Sequence, residues 1–404
     1  MTERLYYHDS FLREFEARVV SCEPDERAGG KRWRVVLDRT AFYPASGGQP
    51  HDTGKLGDAN VLEVADAEDG HAVVHYTSAE LQPGTVRGTV DWAQRIDHMQ
   101  QHTGQHILSA AFVELFQFPT VSFHLGREVS TIDLVAPSIV PRHLEEAERR
   151  ANEIIFDDRV VTVRFGTAEE LEEAGIRKKV DREGVLRAVE IEGFDRQPCG
   201  GTHLARTGQA GMLLLRGLER RRDAWRLEFV CGYRALAAAR SDFATLTQTA
   251  SLLSCGPADV PSVVGKALEE RRAQHGTVKR MEDRLAEFQA RALRAESASS
   301  GAAGVRIVSA VLDEATPGYL ALLAAKVTSE AAVIALLAAR ASGHIVFAQT
   351  KGAQTDMGAL LRDGLGALGG KGGGAKDFAQ GKVPGPAQVE AVISAAKDRL
   401  ARAG

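Results

Sequence analysis

The sequence predicts an α+β protein: an N-terminal small β-barrel, an α+β domain carrying a His/Cys cluster, a long helical linker and a C-terminal small α/β domain. Three observations predict it. Residues 1–90 run as short alternating apolar/polar segments broken by Gly, Pro and Asp, the pattern of half-buried strands. Residues 91–240 open with a helical period and then mix strands with helices. Residues 241–303 lose Gly and aromatics and fill with Ala, Glu, Arg and Lys, and residues 304–404 return to mixed apolar segments.

The elements follow in order. FEARVVSC, RWRVVLDRT, NVLEVADAEDG, HAVVHYT and GTVRGTVDW read as strands, and a small barrel or sandwich closes such a set. HTGQHILSAAFVELF has helical period, TVSFHLG and VSTIDLV read as strands, and Pro141 opens the helix PRHLEEAERRANEIIFD. Further strands lead to a Gly-rich turn at Cys199 and on to WRLEFVCGYRAL. In the linker, Val278, Met281, Leu285, Phe288 and Ala292 recur at spacings of three and four. That seam serves either packing on its own domain or a coiled-coil partner face. SASSGAAG, from Ser297, reads as a flexible connection. In the last hundred residues VRIVSAVL and AAVIALLAA read as buried strands or apolar helix segments, and HIVFAQT as a strand.

Composition excludes several classes. Hydrophobic content is 44% and charged content 26%, ordinary for a globular protein with cores. A net charge of -4 argues against a globally basic nucleic-acid coat, while leaving room for a local basic patch. Four Cys make no disulfide framework, and Cys22, Cys231 and Cys255 read as small core residues or spectators. The charged N-terminus lacks the apolar run of a signal peptide. No apolar run approaches the roughly 20 residues that span a membrane. A cytoplasmic protein is expected.

The chemistry concentrates in a split cluster. His102 and His106 stand four apart in DHMQQHTGQHILSAAF, so they project from one helical face. Cys199 and His203 flank Gly200 and Gly201 in QPCGGTHLARTG, which suggests a tight turn. Together they offer three imidazoles and one thiolate, a zinc ligand set in type and number. One Zn2+ ion is the expected cofactor, and a thiolate ligand implies a reducing compartment. His98 lies four residues before His102 and is a candidate to support the ligands or shuttle protons.

Two further motifs stand out. TAFYPASGGQPHDTG, from Thr40 to Gly54, holds Gly47-Gly48, which can bring backbone close to a ligand, beside the hydrogen-bonding side chains of Thr40 and Gln49. GALGGKGGGAKDFAQGK, from Gly366 to Lys382, is a Gly-rich loop with Lys371, Lys376 and Lys382. Either it is a flexible loop, or Gly370, Gly372 and Gly373 let amides approach a phosphate that Lys371 and Lys376 neutralise.

These residues together resemble the editing region of alanyl-tRNA synthetase and its freestanding relatives, the AlaX-type alanyl-tRNA editing proteins. The likeness runs through the Thr40–Gly54 stretch, the HTGQH helix, the CGGTH turn and the RLEFVCG strand. The C-terminal Gly-rich segment is similar to the DHHA1-type domain of the synthetase. Threonyl-tRNA synthetase editing domains share the paired HxxxH and CxxxH motifs, but FYPASGGQPHDTG favours the alanyl branch.

The resemblance implies hydrolysis, in trans, of tRNA(Ala) mischarged with serine or glycine. The chain begins almost at the editing-type β-domain, so an aminoacylation core is not expected. The resemblance also implies His102, His106, Cys199 and His203 as zinc ligands, with Gln49 and Thr40 lining the pocket. A Thr40 hydroxyl would recognise the hydroxyl of serine and be left unpaired by alanine. Gln49 would hold the attacking water or the carbonyl oxygen. Arg220, Arg221 and Arg222 are candidates to meet tRNA, and Arg226 and Glu228 either border the pocket or form a strand ion pair. Two other readings stay open: a non-catalytic tRNA-binding module with a structural zinc, and a zinc hydrolase of a small ester. A homodimer would form through the helical linker or the C-terminal domain.

Overall fold

The computed structural model describes residues 1–25, 32–68, 70–176, 184–297 and 305–402. They form two compact units, Met1–Thr249 and Ala250–Gly404.

The first unit begins with β1 (Glu3–Arg4), β2 (Glu14–Pro24), β3 (Trp33–Leu37), β4 (Arg39–Thr40), β5 (Gly54–Leu56), β6 (Ala59–Asp66), β7 (Val73–Thr77) and β8 (Thr85–Val90). Six of these close a barrel in the order β2-β3-β7-β6-β5-β8. The alternation along β2 explains the closure: Phe15, Ala17 and Val19 point inward while Glu14, Glu16 and Arg18 face water. They meet Val35, Leu37, Phe42, Leu56, Val64 and Val73 inside, and closure leaves no unpaired strand edge.

Next come α1 (Trp92–Phe116), β9 (Thr120–Leu125), β10 (Ser130–Leu134), α2 (Pro141–Phe156), β11 (Val161–Gly166), α3 (Ala168–Glu173), β12 (Leu186–Ile191), β13 (Asp195–Pro198), β14 (Leu213–Arg220), β15 (Trp225–Cys231) and α4 (Gly232–Leu252). Asp91 caps α1 by accepting from the amides of Ala93 and Gln94. The helix is buried on almost every side from His98 to Phe112. Its apolar residues Met99, Ile107, Leu108 and Phe112 pack against Ile132, Ile154, Leu213 and Phe229. A Cβ at Gly104 would overlap Cys231 Sγ; Gly104 lets the helix lie flat on β15. The strands form an antiparallel sheet, β14-β15-β10-β9, and a second one, β11-β12-β13.

Arg95 ties α1 to the barrel. It is fully buried, pairs with Asp52, and donates to the carbonyls of Ser10 at 2.9 Å and Ala41 at 2.6 Å. Asp52 in turn accepts from the Tyr43 amide at 2.6 Å. The 1–90 and 91–240 segments therefore fold as parts of one unit.

The second unit holds α5 (Val260–Glu296), β16 (Arg306–Leu312), α6 (Pro317–Val327), β17 (Val333–Ala339), β18 (His344–Gln349), α7 (Met357–Gly366), β19 (Lys371–Gly374), β20 (Phe378–Lys382) and α8 (Pro386–Arg402). The sheet order is β16-β17-β18-β20-β19. VRIVSAVL and AAVIALLAA are both strands. Every residue of β17 is buried because helices cover both faces: Ile334, Leu336 and Ala338 meet Leu361 and Val389, while Ala335 and Leu337 meet Leu320 and Leu323.

Within segment 241–303, Ala286 and Ala290 of α5 join the core against α6. Arg294 adds a bond to the Lys326 carbonyl at 2.6 Å. Residues 298–304 of the expected connection lie outside the described residues. The Gly-rich loop is a β-hairpin, β19–β20. A Cβ at Gly372 would stand 2.6 Å from Leu365 Cδ1 and from Gly381 Cα. Packing of α7 on the hairpin thus demands that glycine without any ligand. Gly370 meets the same constraint, 2.8 Å from Leu365 Cδ2, while Gly373 has open space.

Candidate metal centre

Helix α1 presents His102 and His106 from one face, and the turn after β13 brings Cys199 and His203 to them. All three imidazoles are buried. Cys199 Sγ lies 3.4 Å from His102 Nε2 and 3.3 Å from His203 Nε2. The four ligand atoms lie within 4.8 Å of one another. Zinc ligands at about 2.0–2.3 Å in a tetrahedron stand roughly 3.3–3.8 Å apart, so the donor set fits such an ion.

Two of the rings are hydrogen-bonded through the other nitrogen, and the third faces a carboxylate there. Gln49 Oε1 lies 2.8 Å from His102 Nδ1, Thr103 Oγ1 3.2 Å from His203 Nδ1, and Asp195 Oδ2 3.5 Å from His106 Nδ1. With Nδ1 turned to these partners, the Nε2 atoms of His102 and His203 flank Cys199 Sγ, and a metal would take each ring in its neutral form. The turn is equally constrained. A Cβ at Gly201 would stand 2.5 Å from His102 Nδ1. Arg187, on β12, donates to the carbonyls of Cys199 at 2.6 Å and Gly201 at 2.9 Å, and to that of Tyr7 at 3.1 Å. Arg187, Thr103 and Asp195 were not singled out from the sequence. Each lies in an ordinary helix or strand pattern that carries no ligand spacing.

The charges suit metal binding. Burial alone would push the Cys199 thiol up, yet the His102 and His203 rings hold it well below the usual thiol range. Burial, aided by His102, drops His203 to about 3. For His106 burial works against the charged form, but the Asp195 carboxylate and Cys199 outweigh it and raise the ring to about 9.

The cluster opens on a cleft of about 610 Å³, with Tyr43, Ser46 and Gly47 on one side and Val113, Val121 and Phe123 on another. The Phe123 ring stacks on His102 at 5.1 Å. The Gly47-Gly48 turn has positive φ at both residues, and Gly48 O accepts from the Leu125 amide at 2.8 Å. The close approach that the glycines allow is to β9.

Sequence-derived site residues divide accordingly. Gln49 reaches the centre, but its amide is engaged: Oε1 also accepts from the Thr202 amide at 3.2 Å, and Nε2 donates to Thr202 Oγ1 at 2.9 Å. It positions His102 and the turn. Thr40 is not among the cleft-lining residues. It is fully buried, its Oγ1 2.8 Å from His75 Nε2 and accepting from the Phe42 amide at 3.1 Å. His98 is buried, its pKa lowered by burial, and it stands outside the four-ligand cluster. Arg226 pairs with Asp133 at 2.8 Å, Arg220 stacks on Trp225 and Arg221 pairs with Glu219. Lys371 and Lys376 are exposed on the hairpin.

Three family models match: "tRNA synthetases class II (A)" over residues 2–94, "Threonyl and Alanyl tRNA synthetase second additional domain" over 186–228, and "DHHA1 domain" over 304–402. Alanyl-tRNA editing protein AlaX-L of Pyrococcus horikoshii is 31% identical, over 99% of this chain and 98% of its own length. The chain belongs to the alanyl-tRNA editing protein family. Within that family, mouse Aarsd1 is 32% identical over 94% of this chain and 93% of its own length. Alanine–tRNA ligase of Thermococcus kodakarensis is 32% identical over 99% of this chain but only 44% of its own length. The editing family thus matches end to end where the ligase matches over a part. No helix among the described residues is long and apolar enough to cross a membrane.

Proposed function

We propose that this protein hydrolyses the ester of serine or glycine wrongly attached to tRNA(Ala), acting in trans on tRNA charged by another enzyme. The carrying observation is the convergence of His102, His106, Cys199 and His203 on one cleft, in a chain whose relatives of matching length are named alanyl-tRNA editing proteins. The donor set fits a single zinc ion, which when bound supplies a Lewis acid that polarises a carbonyl or acidifies water. The protein's own residues prepare the site. Gln49, Thr103 and Asp195 orient the three imidazoles, Arg187 fixes the turn, and the Cys199 thiolate contributes one negative charge. Phe123 shields His102 from water on one side. Thr40 acts at one remove, by fixing the Phe42 amide and so the start of the loop that carries Gln49.

The tRNA body is held by exposed cations, with Lys371 and Lys376 first among them. The protein acts as a dimer through the seam on α5, in the cytoplasm, where charged tRNA and a reduced Cys199 coexist. Four protein ligands would close a tetrahedral zinc, which favours a second reading, a structural zinc in a tRNA-binding module.

The test is deacylation of Ser-tRNA(Ala), Gly-tRNA(Ala) and Ala-tRNA(Ala), with Cys199→Ala and a chelated protein as controls. Loss of serine and glycine with alanine spared, abolished in both controls, is expected. Bound zinc and tight tRNA binding without turnover would favour the structural-zinc module.

A further inference from the structure

Two carboxamides at the cleft carry an oxygen without a partner in the protein. Gln105 lies on α1 between the two ligand histidines, lines the cleft and is only 8% exposed. Its Nε2 donates to Ser109 Oγ at 2.8 Å, and Thr120 Oγ1 donates to the same oxygen at 2.7 Å. With Nε2 turned toward Ser109, Oε1 is the end left for a ligand. Gln197, on β13 two residues before Cys199, lines the same cleft, and its Oε1 is buried with no hydrogen-bond partner. A buried carbonyl oxygen is rarely left unpaired without a reason.

Charge narrows the ligand. The described residues that line the cleft include no Asp, Glu, Lys or Arg. Two neutral acceptors in a cleft whose described lining holds no Lys or Arg suit a group that donates several hydrogens, above all a cation. An aminoacyl ester carries one at the atom next to its scissile carbonyl, the α-ammonium group with three N–H bonds. A carboxylate would bind ammonium more strongly, but beside three imidazoles and a thiolate it would compete for the metal. A carboxamide accepts without that competition.

The geometry points to Gln105 and Gln197 as the seat of the α-ammonium group of the aminoacyl ester, so that the protein acts on free aminoacyl esters and spares N-acylated ones. This rests on the deacylase reading of the cleft. N-acylation removes the positive charge and two of the three N–H donors, and adds bulk at the same place. Peptidyl and formylated esters are then rejected by the seat itself.

The experiment compares Ser-tRNA(Ala) with N-acetyl-Ser-tRNA(Ala) on full-length, zinc-loaded protein, as wild type, Gln105→Leu and Gln197→Leu. Wild type is expected to favour the free ester by at least about tenfold in kcat/KM, the scale of one charge-assisted hydrogen bond. Each variant should lose about tenfold on Ser-tRNA(Ala) by the same conversion, little on the acetylated substrate, and no zinc. Gln105→Met, of similar shape and without the acceptor, stands in if leucine disturbs the fold. Calorimetry with a non-hydrolysable serylamide of the terminal adenosine reads the same preference without turnover. Equal activity of wild type on both esters, or an equal fall on both in the variants with zinc retained, overturns the seat. Wild type inert on Ser-tRNA(Ala) would instead remove the deacylase reading, and the seat with it.

Discussion

At the scale of residues, the centre is a set of imidazoles whose proton balance governs its affinity for a metal. Metal binding needs all three rings neutral and Cys199 ionised. Cys199 is already held low and His203 is dropped to about 3, so neither resists near neutrality. His106 does, because Asp195 and Cys199 raise it to about 9 from an ordinary 6.5. A raised His stabilises the metal-free fold fully below its unfolded pKa and loses that contribution as pH rises through the folded value. The same proton must leave when metal binds. Zinc affinity should therefore climb about tenfold per pH unit below about 9 and then flatten, with one proton released per ion near neutrality. Calorimetry in buffers of different ionisation enthalpy counts that proton. His106→Ala abolishes the climb, and a flat affinity in wild type would contradict the assignment. Gln49 belongs to the same logic: Gln49→Ala should weaken zinc binding by about 10–100-fold, as loss of a partner to a ligand ring does.

Among elements, α5 shows what periodicity can and cannot disclose. The sequence marks Val278, Met281, Leu285, Phe288 and Ala292 as a seam, and the first four are exposed by half or more of their surface. The opposite face, Ala286 and Ala290, is what packs on α6. Small residues carry little hydrophobic signal, so the buried face of α5 was the one hidden in the sequence. The hairpin β19–β20 was hidden for a related reason, because glycines chosen by the approach of Leu365 look like glycines chosen for flexibility. By contrast the barrel strands, α1 and the Cys199 turn were legible, since alternation, helical period and ligand spacing each have one dominant cause. A 3-4 seam exposed along α5 favours a second copy of the same helix. Met281→Glu with Leu285→Glu should convert a dimer to monomers in sedimentation equilibrium while leaving Ser-tRNA(Ala) hydrolysis per site unchanged. Monomeric wild type at micromolar concentration would end that reading.

For the whole molecule, a net charge of -4 must still meet a polyanion. A formally acidic chain can do so only where cations are grouped and left unpaired by its own carboxylates. Many arginines fail that condition: Arg216 pairs with Asp242, Arg226 with Asp133, Arg234 with Asp97. The hairpin meets it. Lys371 and Lys382 stand directly opposite each other across β19 and β20, an arrangement of like charges that is unfavourable alone and is relieved by a phosphate between them. Both are exposed, and β19 is the outer strand of its sheet. Lys371→Gln and Lys382→Gln should each weaken tRNA(Ala) binding and lower the slope of log affinity against log salt by about one for each phosphate no longer neutralised. Removing the repulsion should at the same time leave thermal stability unchanged or slightly raised, which separates a weakened hold on phosphate from a damaged fold. An unchanged salt slope in both variants would move the tRNA surface away from this hairpin.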